Sequence, residues 1–289
     1  MPRVTGRVAA SFTDVDGVTR LGDRYHSYPL KIAKAFSFDE GQLGIYMMDA
    51  SPGIMSGDAY ELEWRFGENT KAFITNQSYT KVHPMLCDAE GGYSDGPSQQ
   101  IQRLHLSRGS YVEYLPEPLM LYKDASFDSR TEIRMENDST LLISEVVCPG
   151  RTQRGELFQY LQYKNEFTVY YENELIYCAK QRIEPSMQRL QHIGGWENYT
   201  HYGTLYVFSE RADIVFADAL RDYLDKVVTD DLVSSGGSAL YYGISRTYKY
   251  GILVSVMGVK VYELQEFLER AWKFARGRLF SGDPFVVRK

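Results

Sequence analysis

Carboxylates set beside turns are the side chains with chemistry to offer in this chain, and two stand out. Asp58 follows Gly57 at the entrance to a strand. Glu145 lies inside the apolar run Leu141-Leu-Ile-Ser-Glu-Val-Val147. Counting by twos from Glu145 puts Ile143 and Val147 on its own face, so the carboxylate points where apolar residues point. The alternate register, with Leu142, Ser144 and Val146 inward, leaves it exposed. An inward carboxylate must be paired, hydrated or metal-linked, because an unpartnered buried charge is costly. A salt bridge to Arg151 or Arg154 is one resolution. An oxygen ligand lining a wet passage for a divalent ion is the other.

Other chemistries find weaker support. None of the five histidines, His26, His83, His105, His192 and His201, forms H-x-x-x-H or H-E-x-x-H. The close pair His83 and Cys87 is interrupted by Pro84, which argues against a helix presenting both to one metal. A hydrolase would need a nucleophile at an elbow, and Ser56 is followed by Gly57 without the first glycine of G-x-S-x-G. An enzyme using Ser56 or Ser78 with His83 therefore stays a minor alternative. Ser234-Ser-Gly-Gly-Ser238 lacks the Lys-Ser/Thr of a phosphate loop, so the chain is not built to bind GTP or ATP itself.

The whole-chain balance narrows the partners. A net charge of −6 with pI near 5.5 argues against a broad phosphate-binding surface, hence against nucleic acid. Three cysteines without C-x-x-C spacing argue against a disulfide framework or structural zinc. The polar N-terminus is no signal h-region, and the longest apolar run, near 252–259, is too short for a membrane span. A reducing, cytoplasmic setting without membrane contact is expected.

The elements that position these groups are mostly strands, as 23 Tyr and 14 Phe favour. Tyr60, Leu62, Trp64 and Phe66 alternate with Glu61, Glu63 and Arg65, which is the period of a half-buried strand. The turn-formers Ser51-Pro-Gly53 and Ser56-Gly-Asp58 precede it. Strands are expected over 3–12, 17–36, 100–106 and 110–115, with a hairpin turn at Asp14-Val-Asp-Gly17. Residues 88–98 read as a glycine-rich loop, and Pro116-Glu-Pro118 as an edge or turn. Hairpins are expected around Glu136-Asn-Asp-Ser139 and Glu172-Asn-Glu174. Helical spacing appears near 212–229, is broken by Ser234-Ser-Gly-Gly237, and returns near 261–276 after a strand pair, closing at Arg276-Gly-Arg278. The fold class is mainly β: a large β-helix-like or sandwich-like stack of strands with about two α-helices toward the C-terminus.

Four segments together resemble a known family: Ser51-Pro-Gly-Ile-Met-Ser-Gly-Asp58, Ile74-Thr-Asn-Gln-Ser-Tyr-Thr-Lys-Val-His83, Ser144-Glu-Val-Val-Cys-Pro-Gly-Arg151 with Gly155-Glu-Leu-Phe158, and Tyr199-Thr-His-Tyr202. Their order and gaps are similar to those of the urease accessory protein family UreD, also called UreH. The resemblance spans roughly residues 15–275. It implies one domain over 1–289 and a non-catalytic scaffold that binds UreF, recruits the GTPase UreG and docks on apo-urease. Nickel would be in transit only, delivered through an internal tunnel, with no tightly bound cofactor. Carried over residue by residue, Asp58 and Glu145 are the expected tunnel-lining ligands. Ser78, Thr80, Lys81, Arg151 and Glu156 are structural or tunnel residues on the same reading. A general β-rich binding module without a metal role is the alternative.

Overall fold

Two sheets share the chain, and the chain passes back and forth between them. The computed structural model describes residues 4–87, 92–93, 96–235 and 240–280. A hairpin, β1 (Gly6–Val15) and β2 (Val18–Ser27), opens the first sheet; a second, β3 (Leu30–Ser37) and β4 (Leu43–Asp49), opens the other. Alternation follows. β5 (Ala59–Phe66) lies in the first sheet and β6 (Lys71–Asn76) in the second, with the short β7 (Thr80–Val82) at the corner. β8 (Ser98–Leu106) returns to the first and β9 (Tyr111–Tyr114) to the second, with the short β10 (Leu119–Leu121) at the next corner. β11 (Ser126–Met135) and β12 (Thr140–Cys148) repeat the move.

The hairpin β13 (Gln162–Tyr171) and β14 (Glu174–Ile183) closes the first sheet. The second is completed by β15 (His201–Phe208), then by the hairpin β16 (Tyr241–Arg246) and β17 (Gly251–Gly258), with α1 (Ile214–Ser235) before that hairpin and α2 (Val261–Leu279) after it. The middle strands run parallel: β1, β5, β8, β11 and β13 in one sheet, β4, β6, β9 and β12 in the other. Each coil rests on the one before it, so the stack is β-helix-like as expected.

The alternating strand behaves as its pattern dictates. Tyr60, Leu62, Trp64 and Phe66 of β5 are buried between the sheets. Each such side chain contributes roughly 1.5–3 kcal/mol relative to exposure. The Glu172-Asn173 turn holds both residues at positive φ, 48° and 66°, the two-residue form that suits a right-twisted hairpin.

Two expectations need correction, at 136–139 and at the end of α2. Residues 136–139 do not close a hairpin, because β11 pairs with β8 and β13 while β12 pairs with β9 and β15. The turn carries the chain round a corner from one sheet to the other, and alternating hydrophobicity looks the same in both cases. The short strands expected over 17–36 fall in two sheets, divided at Tyr28-Pro29. α2 continues through Gly277 to Leu279, with Phe280 N–H bonding Arg276 O at 2.8 Å. Much of the loop expected over 88–98, and the glycine break at 236–237, lie outside the described residues.

A second core forms where the outer face of the second sheet meets the helices. Leu142, Leu205 and Val254 pack there against Leu220, Phe267 and Trp272. At its centre Glu113 of β9 and Arg276 of α2 form an ion pair, 0% and 1% exposed. Glu113 also accepts from Gln42 Nε2 at 2.8 Å, Tyr111 Oη at 2.9 Å and Trp272 Nε1 at 2.7 Å. Such a pair is costly to break from one side, since the remaining charge is left buried. Arg276→Met should therefore lower unfolding free energy by about 3–5 kcal/mol, whereas adding Glu113→Leu should recover much of the loss. Denaturant unfolding of the three chains checks this; equal losses in the single and double variants would contradict it.

Candidate functional site

β12 is buried on both faces, and that decides where Glu145 goes. Leu142 and Val146 face the helices, while Leu141, Ile143 and Val147 face the space between the sheets. Glu145 shares the second parity and points inward, as counting by twos predicts. It lines two cavities.

No salt bridge neutralises it among the described residues. Arg151 instead grips Glu156, with Nε to Oε2 at 2.7 Å and a second short contact beside it. Glu145 accepts from Tyr206 Oη at 2.9 Å and from Asn165 Nδ2 at 3.1 Å. Tyr206 comes from the neighbouring strand β15 and Asn165 from β13 in the opposite sheet, so the carboxylate bridges the two layers. Burial raises its pKa above the usual carboxylate range, and the two neutral donors offset only part of that. The surrounding Tyr163, Tyr202 and Tyr206 hydroxyls are likewise pushed up by burial.

A gap in the second sheet opens beside this residue. β12 pairs with β9 over Thr140 to Ile143 and with β10 over Val147 and Cys148. Ser144, Glu145 and Val146 therefore have no strand partner on that side. The chain there is Leu115 to Pro118, and Pro116 and Pro118 carry no N–H with which to close the ladder. A cavity of about 110 Å³ lies between the sheets at this level, lined by Glu145, Thr80, Gln100, Ser129 and Tyr206 among others. A second, of about 300 Å³, shares Glu145 and Tyr206 with it and adds Asn165, Gln181, Tyr202 and Ser255. A third, of about 260 Å³, shares Pro116, Glu117, Ser144 and Val146 with the first and lies against Gln265 and Trp272 of α2. The three adjoin one another, with Glu145 at one junction and Glu117 at the other.

The remaining expected residues scatter. Thr80 lines the central cavity and accepts from Asn76 Nδ2 at 3.2 Å. Asp58 does not line it: its carboxylate takes the Met55 N–H at 2.8 Å and caps its own turn, near Tyr60. Ser78 is exposed, its carbonyl bonded to Asn76 Nδ2. Lys81 is held through its carbonyl, which takes the Ile54 N–H. Arg151 and Glu156 brace the loop after β12, with the guanidinium 4.2 Å above the Tyr122 ring. Ser56 accepts from Leu86 N–H, whereas the His83 ring meets Pro52 O, so the two are not hydrogen-bonded to each other. Nothing in the sequence pattern marks Asn165, Tyr206 or Gln100, because their partners come from distant strands. Glu117 carried a signal, a carboxylate between two residues that cannot donate.

The family model described as UreD urease accessory protein matches residues 4–288. The urease accessory protein UreD of Acetivibrio thermocellus is 32% identical over 255 residues, 88% of this chain and 90% of the relative. That of Lachnoclostridium phytofermentans is 27% identical over the full length of both chains. The urease accessory protein UreH of Helicobacter hepaticus is 25% identical, covering 88% of this chain and 91% of the relative.

A raised carboxyl pKa has a consequence for stability. Glu145 holds its proton more tightly folded than unfolded, so the folded state loses stability as pH rises from the ordinary glutamate value of 4.5 toward the raised one. Glu145→Gln keeps an oxygen for Tyr206 and Asn165 and removes the titration. Denaturant unfolding at about pH 5 and about pH 8 should show a shallower fall for the variant, which ends at least as stable as the wild type at the higher pH. A parallel pH dependence in the two chains would contradict the buried environment.

Proposed function

Because this chain belongs to the UreD family of urease accessory proteins, we propose that its part in urease maturation is that of a non-catalytic scaffold passing nickel ions through its interior. In this reading it holds UreF, recruits the GTPase UreG through it, and docks the assembly on apo-urease in the cytoplasm. Among the described residues no helix is long and apolar enough to cross a membrane.

The observation that carries the reading is Glu145: an inward carboxylate with only neutral hydrogen-bond partners, standing where two cavities meet beside a gap in the sheet. A hard oxygen donor suits a divalent ion in transit. One carboxylate with weak neutral company binds firmly enough to admit the ion and loosely enough to release it. Thr80 adds an oxygen to the same cavity wall. Asp58, Ser78, Lys81, Arg151 and Glu156 hold the turns around the passage.

Glu145→Ala should leave capture of the UreF–UreG assembly intact while lowering urease activation on the order of tenfold, the low end of what losing support for a metal site costs. Affinity capture and an activation assay in cells lacking their own copy give both readouts. Wild-type activation with Glu145→Ala would remove the ion passage from the reading. The purified chain should turn over neither GTP nor urea, and sustained hydrolysis of either would refute a purely non-catalytic role.

A further inference from the structure

The register of the first sheet places four neutral polar side chains in one straight row. Gln100 of β8 stands opposite Ser129 of β11, Ser129 opposite Asn165 of β13, and Asn165 opposite Gln181 of β14. Adjacent strands lie about 4.8 Å apart, so the row crosses roughly 15 Å along the axis of the stack. Its members divide between two cavities. Gln100 and Ser129 line the central one, and Asn165 and Gln181 line the second. The Glu145–Asn165 hydrogen bond stands where the two meet.

Half of the row lacks protein partners, and one end is closed. The side chains of Gln100 and Ser129 make no protein hydrogen bond among the described residues, and both border the cavity. Half-buried amides and hydroxyls so placed call for water, and a space of about 110 Å³ has room for several molecules. Beyond Gln100 the row meets Tyr60, which is 3% exposed and donates to Asp49 at 3.2 Å, sealing that end. At the other end Gln181 accepts from Tyr202 and opens on the second cavity. Four residues further along the same inner face, Leu104, Ile133, Val169 and Tyr177 form an apolar row instead.

We infer that Gln100, Ser129, Asn165 and Gln181 form the floor over which a divalent cation moves with its water shell intact, a role that rests on the passage proposed above. Amide and hydroxyl groups bond the waters of a hydrated ion without displacing them, and a small divalent ion of the Mg²⁺ kind surrenders water reluctantly. Further carboxylates along the row would trap the ion. Glu145 then acts as a charged stop beside a neutral track.

Cysteine accessibility tests the floor independently of activation. In a full-length Cys87→Ser, Cys178→Ser background only Cys148 remains, a buried thiol pushed up to about 12 and therefore unreactive. Ser129→Cys should react with 2-aminoethyl methanethiosulfonate on the order of tenfold or more faster than Ile133→Cys on the same face. Equal, slow labelling at both positions would overturn the inference. In the activation assay, Ser129→Val should impair activation as Glu145→Ala does while leaving thermal unfolding unchanged. Full activation by Ser129→Val alongside loss in Glu145→Ala would overturn the floor and leave the passage standing. Full activation by both variants would overturn the passage, and the inference with it.

Discussion

The buried pair of Glu113 and Arg276 is the contact on which the functional half of this molecule rests. It joins β9 to α2 across the outer face of the second sheet, where two desolvated charges and three further donors leave little freedom of register. Fixing α2 there places Gln265 and Trp272 over the gap beside Ser144 to Val146. Without that anchor the cavity beneath the helix would have no defined roof. Gln265 adds a lighter tie, accepting from Tyr79 Oη at 3.1 Å and reaching Glu117 from its amide.

The second sheet thus carries two buried carboxylates treated in opposite ways. Glu113 faces the helices and is saturated by a guanidinium, an indole, a phenol and an amide. Glu145 faces the other layer and is met by one phenol and one amide only. The first arrangement fixes structure, because every lone pair is committed. The second leaves coordination capacity unspent in a place that borders solvent-sized space. Burial on both sides of one sheet is what allows neighbouring strands to carry such different chemistry.

Much of this was legible in residue order, and the failures share a cause. The β5 alternation, the Glu172-Asn-Glu174 hairpin, both helices and the inward face of Glu145 follow from local periodicity, which survives any tertiary arrangement. The turn at 136–139 was misread because period-two strands joined by a short link are identical in a hairpin and at a corner of a coil. The expected partners of Glu145, Arg151 and Arg154, were neighbours in sequence. Its real partners, Asn165 and Tyr206, lie twenty and sixty-one positions away and are brought in by strand pairing. Asp58 sits beside a turn as expected, but its carboxylate is spent on that turn.

The coiled path of the chain has a bearing on size. Every circuit from one sheet to the other and back adds one rung to each, and a rung advances the stack by about 4.8 Å. Antiparallel hairpins finish the first sheet at both ends, so extra length must enter in the middle as whole circuits. The length of the stack is therefore graduated like a ruler, and a cousin one circuit longer would exceed it by a single graduation without redesigning either end.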